Sequence, residues 1–411
     1  FISNSCLNNK YTTKMKIKII IICLFLLSCD DIGVDNNNNI SNQSFINSFG
    51  SNWYEYGWGL AQLHDGGFII TGRKEFQSTN TKDMITIRTD ENGGGIWQKT
   101  YGGAANEEGY SVVQLPDGNI LSVGYSWSFG NAQEIFVVKS DLSGRTLWQK
   151  TYGGSNREIG HKAIVAKDGN IMIIGQTNSP GIAYGNDDVW LIKIDLNGNE
   201  LWNKSYGHQR HEVGFDIVEL EDGGFFIVGY REFYDEAGKD ILIIKTDNNG
   251  NKIWEKTIGS DGVFDDIAYS ISKSKNYGYL ITASTNSTGK GWYDPQVIMI
   301  DFDGNIIWNK IYNGSGLKHT RWVATSTNDG GTAVLGTTNY YREAGSNEDA
   351  YIIKIDKDGN KLWDYAIQGG KNDWGWALIE TFLDELVLVG STKSYGAGLF
   401  DILLARIVKS D

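Results

Sequence analysis

The chain has little of what a redox centre, a thiol enzyme or a helical bundle requires. Its three cysteines, Cys6, Cys23 and Cys29, all precede residue 30. Nothing beyond that point can form a disulfide, a thiol nucleophile or a cysteine metal cluster. Proline occurs 3 times, and helix-favouring runs are few. Positive charge is scarce as well: 37 Lys and Arg against 50 Asp and Glu leave a formal charge of -13, with no basic tail. A nucleic-acid partner is excluded on that ground, because phosphates would be repelled rather than neutralised. No nucleophile elbow, phosphate-binding loop or dinucleotide fingerprint occurs.

What the chain does have is 51 glycines, 12% aromatics and one motif copied down its length. An Asp is followed three residues later by Gly and seven later by Trp: Asp90/Gly93/Trp97, Asp141/Gly144/Trp148, Asp195/Gly198/Trp202, Asp247/Gly250/Trp254, Asp301/Gly304/Trp308 and Asp356/Gly359/Trp363. The interval is 51 positions from Trp97 to Trp148 and 55 from Trp308 to Trp363. That period belongs to propellers and solenoid arrays, and is longer than the roughly 40 to 45 of a WD40 blade. A closed array is one cooperative unit, so residues 44–411 are read as a single domain.

Ahead of it, 1–14 is expected to lie upstream of the true start. From Met15, two lysines and the apolar run Ile19 to Leu27 form a signal peptide over 15–28 that is too short to span a bilayer. Leu26-Leu27-Ser28-Cys29 resembles the lipobox of bacterial lipoproteins, which implies diacylglycerol on Cys29 and a lipid-anchored envelope protein, most readily at the outer membrane. Residues 29–43, Asn-rich and polar, read as a flexible tether. The acids after Cys29 resemble both surface-export and inner-membrane retention signals, so the side of the membrane stays open.

One repeat reads as four strands. In the copy at residues 99–148 these are 109–115, 120–124, 135–139 and a fourth running over 147–152, joined by Pro116-Asp117-Gly118-Asn119, a longer loop and the Asp141–Gly144 hairpin turn. Third strands such as Ile241-Leu242-Ile243-Ile244 are apolar on both faces, which implies sheets stacked face to face around an axis. The seventh repeat runs from Asp364 through Gly375, Gly390 and Asp401 and lacks a fourth strand. Phe45–Gly50 matches Trp97–Gly102 position for position, with Phe45 in the Trp place and Phe49 in the Tyr place. The expected fold is therefore an all-β, seven-bladed propeller of four-stranded antiparallel blades whose last blade is closed by the N-terminal strand, leaving no open edge. Gly72, Gly124, Gly175, Gly229, Gly336 and Gly390, with Ala283 in the fifth repeat, are expected where neighbouring blades approach closely. The repeated Trp is expected to pack into the adjacent blade.

The Trp-x-Lys-x-Tyr-Gly-Gly repeats and Asp-x-x-Gly turns resemble the bacterial lipoprotein propellers of the pyrroloquinoline-quinone-like superfamily. That group includes the propeller lipoprotein of the outer-membrane β-barrel assembly machinery. The resemblance covers 44–411 and implies fold rather than activity. It departs in blade number, since that assembly lipoprotein has eight blades. The cofactor and calcium constellation of the quinoprotein dehydrogenases is missing, so no cofactor is expected.

Candidate sites fall on the face that carries the variable loops, whose aromatics suit sugar rings or a protein partner. An acid precedes each first strand: Glu55, Glu107, Glu158, Glu212, Asp266 and Asp373, with His319 in the sixth repeat. Two readings are open. These carboxylates could ring the channel mouth, as cation ligands or as the acid and base of a carbohydrate-active hydrolase or lyase. Alternatively they serve the blade, pairing with the recurring Arg88, Lys139, Lys193, Lys245, Lys354 and Arg406 or accepting loop amides. No metal is expected. Asp301-Phe302-Asp303-Gly304 resembles a calcium loop but is a hairpin turn, and His208 and His211 lack zinc-motif spacing. The fifth and sixth repeats break the pattern most, through Met299, Pro295, Ala283, His319 and Arg321. With Trp292, Tyr293, Tyr340 and Tyr341 around them, they define the expected ligand site, since places where a repeat fails are often functional. The expected role is a non-catalytic scaffold that binds an envelope protein or glycan.

Overall fold

The computed structural model describes residues 44–408 except 131, 233–237, 260–263, 276–277, 288–292, 313–320 and 339–346. The leader, the tether and Cys29 lie outside these residues. Seven antiparallel sheets of four strands each make up the described chain. Blade one comprises Glu55–Gln62, Phe68–Phe76, Thr81–Thr89 and Gly95–Tyr101, and the others follow in order. The remaining inner strands are Glu107–Gln114, Glu158–Val165, Glu212–Glu219, Asp266–Lys273, Val323–Ser326 and Asp373–Glu380. Each packs against the next, and the last packs against the first. The ring closes as expected: Phe45–Phe49 pairs with Asp401–Ile407, Phe45 opposite Arg406 and Phe49 opposite Ile402.

Second and third strands are mostly buried, and Ile171–Thr177 and Asp294–Ile300 are so along their whole length. Two apolar faces per strand are what a stack of sheets demands. Side chains such as Ile173, Leu191 and Ile192 are fully buried, each contributing about 1.5–3 kcal/mol relative to exposure. The core is thus divided into clusters at successive blade interfaces rather than gathered in one centre.

At the outer edge the repeated motif is a clasp between blades. In each hairpin turn the Asp carboxylate accepts the backbone N–H groups two and four residues on, as Asp195 does from Asn197 and Asn199, both at 2.8 Å. The glycine takes a left-handed conformation, with φ +80° at Gly144, which side chains rarely adopt. Against that turn packs the Trp of the preceding blade: Trp97 donates its indole N–H to Leu142 O at 2.9 Å, and Trp148 to Leu196 O at 3.3 Å. Tyr101, Tyr152 and Tyr206 donate their hydroxyls to Gly144, Gly198 and Gly250. At the closure, Phe45 lies against Gly93. Phe49 has no hydroxyl to give, and Asn47 donates to Gly93 O at 2.9 Å instead.

The mid-strand glycines have a different purpose from the one expected. A methyl at Gly124 would overlap the carbonyl oxygen of Glu108, and one at Gly72, Gly229 or Gly390 that of Tyr56, Val213 or Trp374. The obstacle is the blade's own inner strand, not the neighbouring blade. There the inner strand carries a bulge: register shifts between Gly57 and Gly59, Gly109 and Ser111, Gly160 and Lys162, Gly214 and Asp216, Ala268 and Ser270, and Gly375 and Ala377.

Candidate functional site

A β-bulge leaves one residue unpaired and re-aims its side chain. In six blades that residue is Trp58, Tyr110, His161, Phe215, Tyr269 or Trp376, and all six line a cavity of about 380 Å³ on the propeller axis. Their rings touch in sequence around the channel. Trp58 and Tyr110 are 5.1 Å apart, Tyr110 and His161 5.8 Å, His161 and Phe215 4.9 Å, and Phe215 and Tyr269 5.0 Å. On the other side Trp374 bridges Trp376 at 6.1 Å and Phe400 at 4.5 Å, Phe400 reaches Tyr56 at 5.3 Å, and Tyr56 reaches Trp58 at 6.0 Å. These separations suit offset or edge packing of aromatic rings. The result is an arc of aromatic faces around the axis: the six bulged rings are partly exposed and line the cavity, while Tyr56, Trp374 and the buried Phe400 continue the ring contacts outside its lining.

The sixth blade closes the arc with a charge. Its inner strand begins only at Val323. Trp322, which aligns with the bulged aromatics, is fully buried against Gly336 and donates to Tyr293 O at 3.3 Å. Arg321 takes the axial place, its guanidinium carbon 5.8 Å from the centre of the Tyr269 ring. The rings beside it are held in defined states. His161 shares a hydrogen bond of 3.1 Å with Gln176 Oε1. Burial, aided by the Arg321 and Arg157 charges, lowers its pKa to about 4, so it is neutral at neutral pH. Glu108 accepts from Arg73 at 2.7 Å and from the Tyr110 hydroxyl at 3.0 Å. Arg73 also lies 4.4 Å over the Tyr56 ring.

Of the residues expected at the ligand site, the structure places Arg321 on the axis and Tyr293 beside the loop of the fifth blade, its hydroxyl donating to Asp265 at 2.8 Å. Trp292, His319, Tyr340 and Tyr341 lie outside the described residues. The aromatics on the axis went unremarked in the sequence, although a signal existed. Each stands three positions after the acid, in Glu-Tyr-Gly-Trp, Glu-Glu-Gly-Tyr, Glu-Ile-Gly-His, Glu-Val-Gly-Phe, Asp-Ile-Ala-Tyr and Asp-Trp-Gly-Trp.

The acids themselves do not form an open ring. Glu55, Glu107, Glu158, Glu212, Asp266 and Asp373 are all buried. Glu107 accepts from Gly103 N at 2.9 Å and Ser126 Oγ at 2.7 Å, and Glu158 from Gly154 N at 3.0 Å and Thr177 Oγ1 at 2.8 Å. Glu55 pairs with Lys74 at 3.1 Å and Glu212 with Arg231 at 3.0 Å. Burial raises the pKa of Glu212 and Asp373. These carboxylates fasten each entry loop to the second strand. The recurring cations pair elsewhere, with acids of the opposite turns: Arg88 with Asp65, Lys139 with Asp117, Lys193 with Asp168, Lys354 with Asp329 and Arg406 with Glu385.

Among the described residues no group of three or more His, Cys, Asp or Glu side chains could hold a metal ion. His208 and His211 are drawn apart, His208 accepting from Arg231 at 2.9 Å and His211 meeting Asp187 at 2.9 Å. Carboxylates in the axial cavity are few. Asp216 accepts from the backbone N–H groups of Ile217 and Ile271, at 2.9 and 3.0 Å, and thereby ties the fourth inner strand to the fifth.

No protein-family model matches the chain, and no curated protein sequence does. Solved structures do. Puromycin hydrolase matches with a TM-score of 0.54 and 12% identity over 86% of this chain, which spans 54% of that one. The Pan2 WD40 domain of Neurospora crassa gives 0.52 and 10% over 86% of this chain and 90% of that one. A protein of unknown function from Dyadobacter fermentans gives 0.48 and 10% over 89% and 98%. Identities this low speak to the propeller fold alone.

Proposed function

We propose that this chain is a non-catalytic binding propeller of the bacterial envelope, lipid-anchored through Cys29, that holds the end of a glycan against the aromatic arc of its axial channel. The observation that carries the reading is the arc itself. Six inner strands spend a backbone bulge on turning a ring toward the axis, and a pyranose stacks its C–H face on such rings while its hydroxyls meet polar neighbours. The anchor rests on the lipobox and on the resemblance to lipoprotein propellers.

A hydrolase or lyase is the rival reading. A glycosidase needs a free acid and a free base or nucleophile at a set separation. Here the repeated carboxylates are buried and committed to loop amides and hydroxyls, and the axial Asp216 is committed to two backbone amides. The test is retention of envelope polysaccharides by the full-length chain on an array, with reducing ends assayed in the same wells. Retention without cleavage is expected. Release of reducing ends that disappears in one of Glu107→Gln, Glu158→Gln or Glu212→Gln would establish the hydrolase instead. Capture of a stoichiometric envelope protein with no glycan retained would replace the glycan by a protein partner.

A further inference from the structure

We propose that the glycan is an acidic one, and that Arg321 binds the carboxylate of a uronic acid residue in the axial channel. The inference rests on the glycan reading above and adds its chemical class. Three observations converge on it.

The first is the state of Arg321. Where the other six blades turn a ring toward the axis, the sixth blade turns a guanidinium. It makes no hydrogen bond or ion pair with any described residue, and its Nε is sealed from solvent without a partner. A cation taken from water without compensation is costly. That cost is visible in the pKa of Arg321, which burial pulls below its ordinary value. Such a side chain is at odds with its surroundings until something supplies an anion.

The second is the sign of the wall. The chain carries -13, yet the cavity is lined by Lys162, Lys273 and Arg321 against the single acid Asp216. Asp216 is occupied by two backbone amides and Lys273 by Glu221, while His161 is neutral. With Lys273 paired, Lys162 and Arg321 against the Asp216 carboxylate leave the cavity net positive. A cleft with an excess of one sign, walled by apolar and aromatic groups, concentrates ligands of the other.

The third is the combination of groups. Guanidinium and carboxylate match as planar, two-point partners, and Tyr269 offers a ring face beside that contact. A bare anion would use the first and leave the arc idle. A sugar ring with a carboxylate uses both, and the cavity of about 380 Å³ lies in the range of small-ligand sites.

The test titrates the full-length chain by calorimetry with trimers of galacturonate, glucuronate and mannuronate and with their methyl esters, for wild type, Arg321→Gln and Arg321→Lys. At least one acid should bind about tenfold or more tightly than its ester, the value of one charge-assisted contact. Arg321→Gln should erase that difference by weakening the acid more than the ester; Arg321→Lys should keep part of it. Without ligand, Arg321→Gln should melt no lower than wild type, because the guanidinium it removes has no hydrogen-bonded or ion-paired partner among the described residues. Equal binding of acid and ester, or a preference that survives in Arg321→Gln, would overturn the acidic class while leaving a glycan site standing. If no trimer and no ester binds, the glycan reading falls and this inference with it.

Discussion

At the rim of the propeller one recurring clasp joins most neighbouring blades; at the axis the corresponding position ranges over Trp, Tyr, His and Phe. The rim clasp is a Trp against an Asp-x-x-Gly turn, tied by the hydroxyl of Tyr101, Tyr152, Tyr206 or Tyr312 in four blades and with Ile258 and Ile367 in the Tyr place of the fourth and sixth; the closing strand has Phe45 for Trp and Asn47 supplying the missing hydrogen bond. The axial position is Trp, Tyr, His, Phe, Tyr or Trp, and in the sixth blade its place is taken by Arg321. The rim lies between blades, so any change there costs packing on both sides. The bulged axial residue lies between the protein and the channel, where its chemistry is free to follow a ligand. Repetition marks the joint, and variety marks the proposed site.

Breaking the joint should have the largest effect. A chain beginning at Ser51 loses Phe45–Phe49 and leaves Asp401–Ile407 as an open edge. Its stability to urea should fall by on the order of 5 kcal/mol, with loss of a single cooperative transition. Next comes the bulge. Gly124→Ala drives a methyl into the Glu108 carbonyl and should cost about 3 kcal/mol. Gly118→Ala, in open space at φ +80°, should cost roughly 1 kcal/mol from its backbone conformation alone.

The comparison itself is sharpened by two tryptophans. Trp148→Ala at the rim, half-buried and hydrogen-bonded, should cost about 2–3 kcal/mol. Trp58→Ala at the axis, which loses ring contacts with Tyr56 and Tyr110 but faces the open channel, should cost about 1 kcal/mol. Equal costs would contradict the division between joint and site.

The smallest effect concerns a partly buried acid beside a loop brace. Burial, and then the Glu107 charge, raise the Asp83 pKa to about 6. The folded state therefore holds this proton more tightly than the unfolded chain does. Stability falls as pH rises from the ordinary carboxylate range through about 6, and the full cost persists above it. Because Asp83 is only partly buried, solvent screening reduces that cost to about 1 kcal/mol. Asp83→Asn should gain about that much at neutral pH and nothing near pH 3.5, as read from paired denaturation curves.

Most of the architecture was legible. Strands alternate with turns whose chemistry is explicit, and the match of Phe45–Gly50 to Trp97–Gly102 revealed the closure and with it the blade number. The site was not, for a local reason. Simple alternation puts Glu55 and Gly57 on one face and Tyr56 and Trp58 on the other, and nothing in that period announces an inserted residue at Trp58. The bulge is visible only when Gly57 pairs with Gly72 and Gly59 with Thr71. The glycines were noticed but credited to the wrong neighbour, because a missing side chain does not say which backbone comes close. The acids were noticed too, yet their loops fold over them. Arg321 stood out because it broke a pattern, a signal that survives even where orientation cannot be read.

The most direct test of the axial site is a titration of wild type and a Trp58→Ala, Trp376→Ala double variant with a glycan fragment retained on the array, with melting temperatures measured alongside. The account predicts an affinity lower by about tenfold or more in the variant, the worth of two stacking contacts, with the fold intact. Unchanged affinity in the folded double variant would contradict it and move the binding surface off the axis.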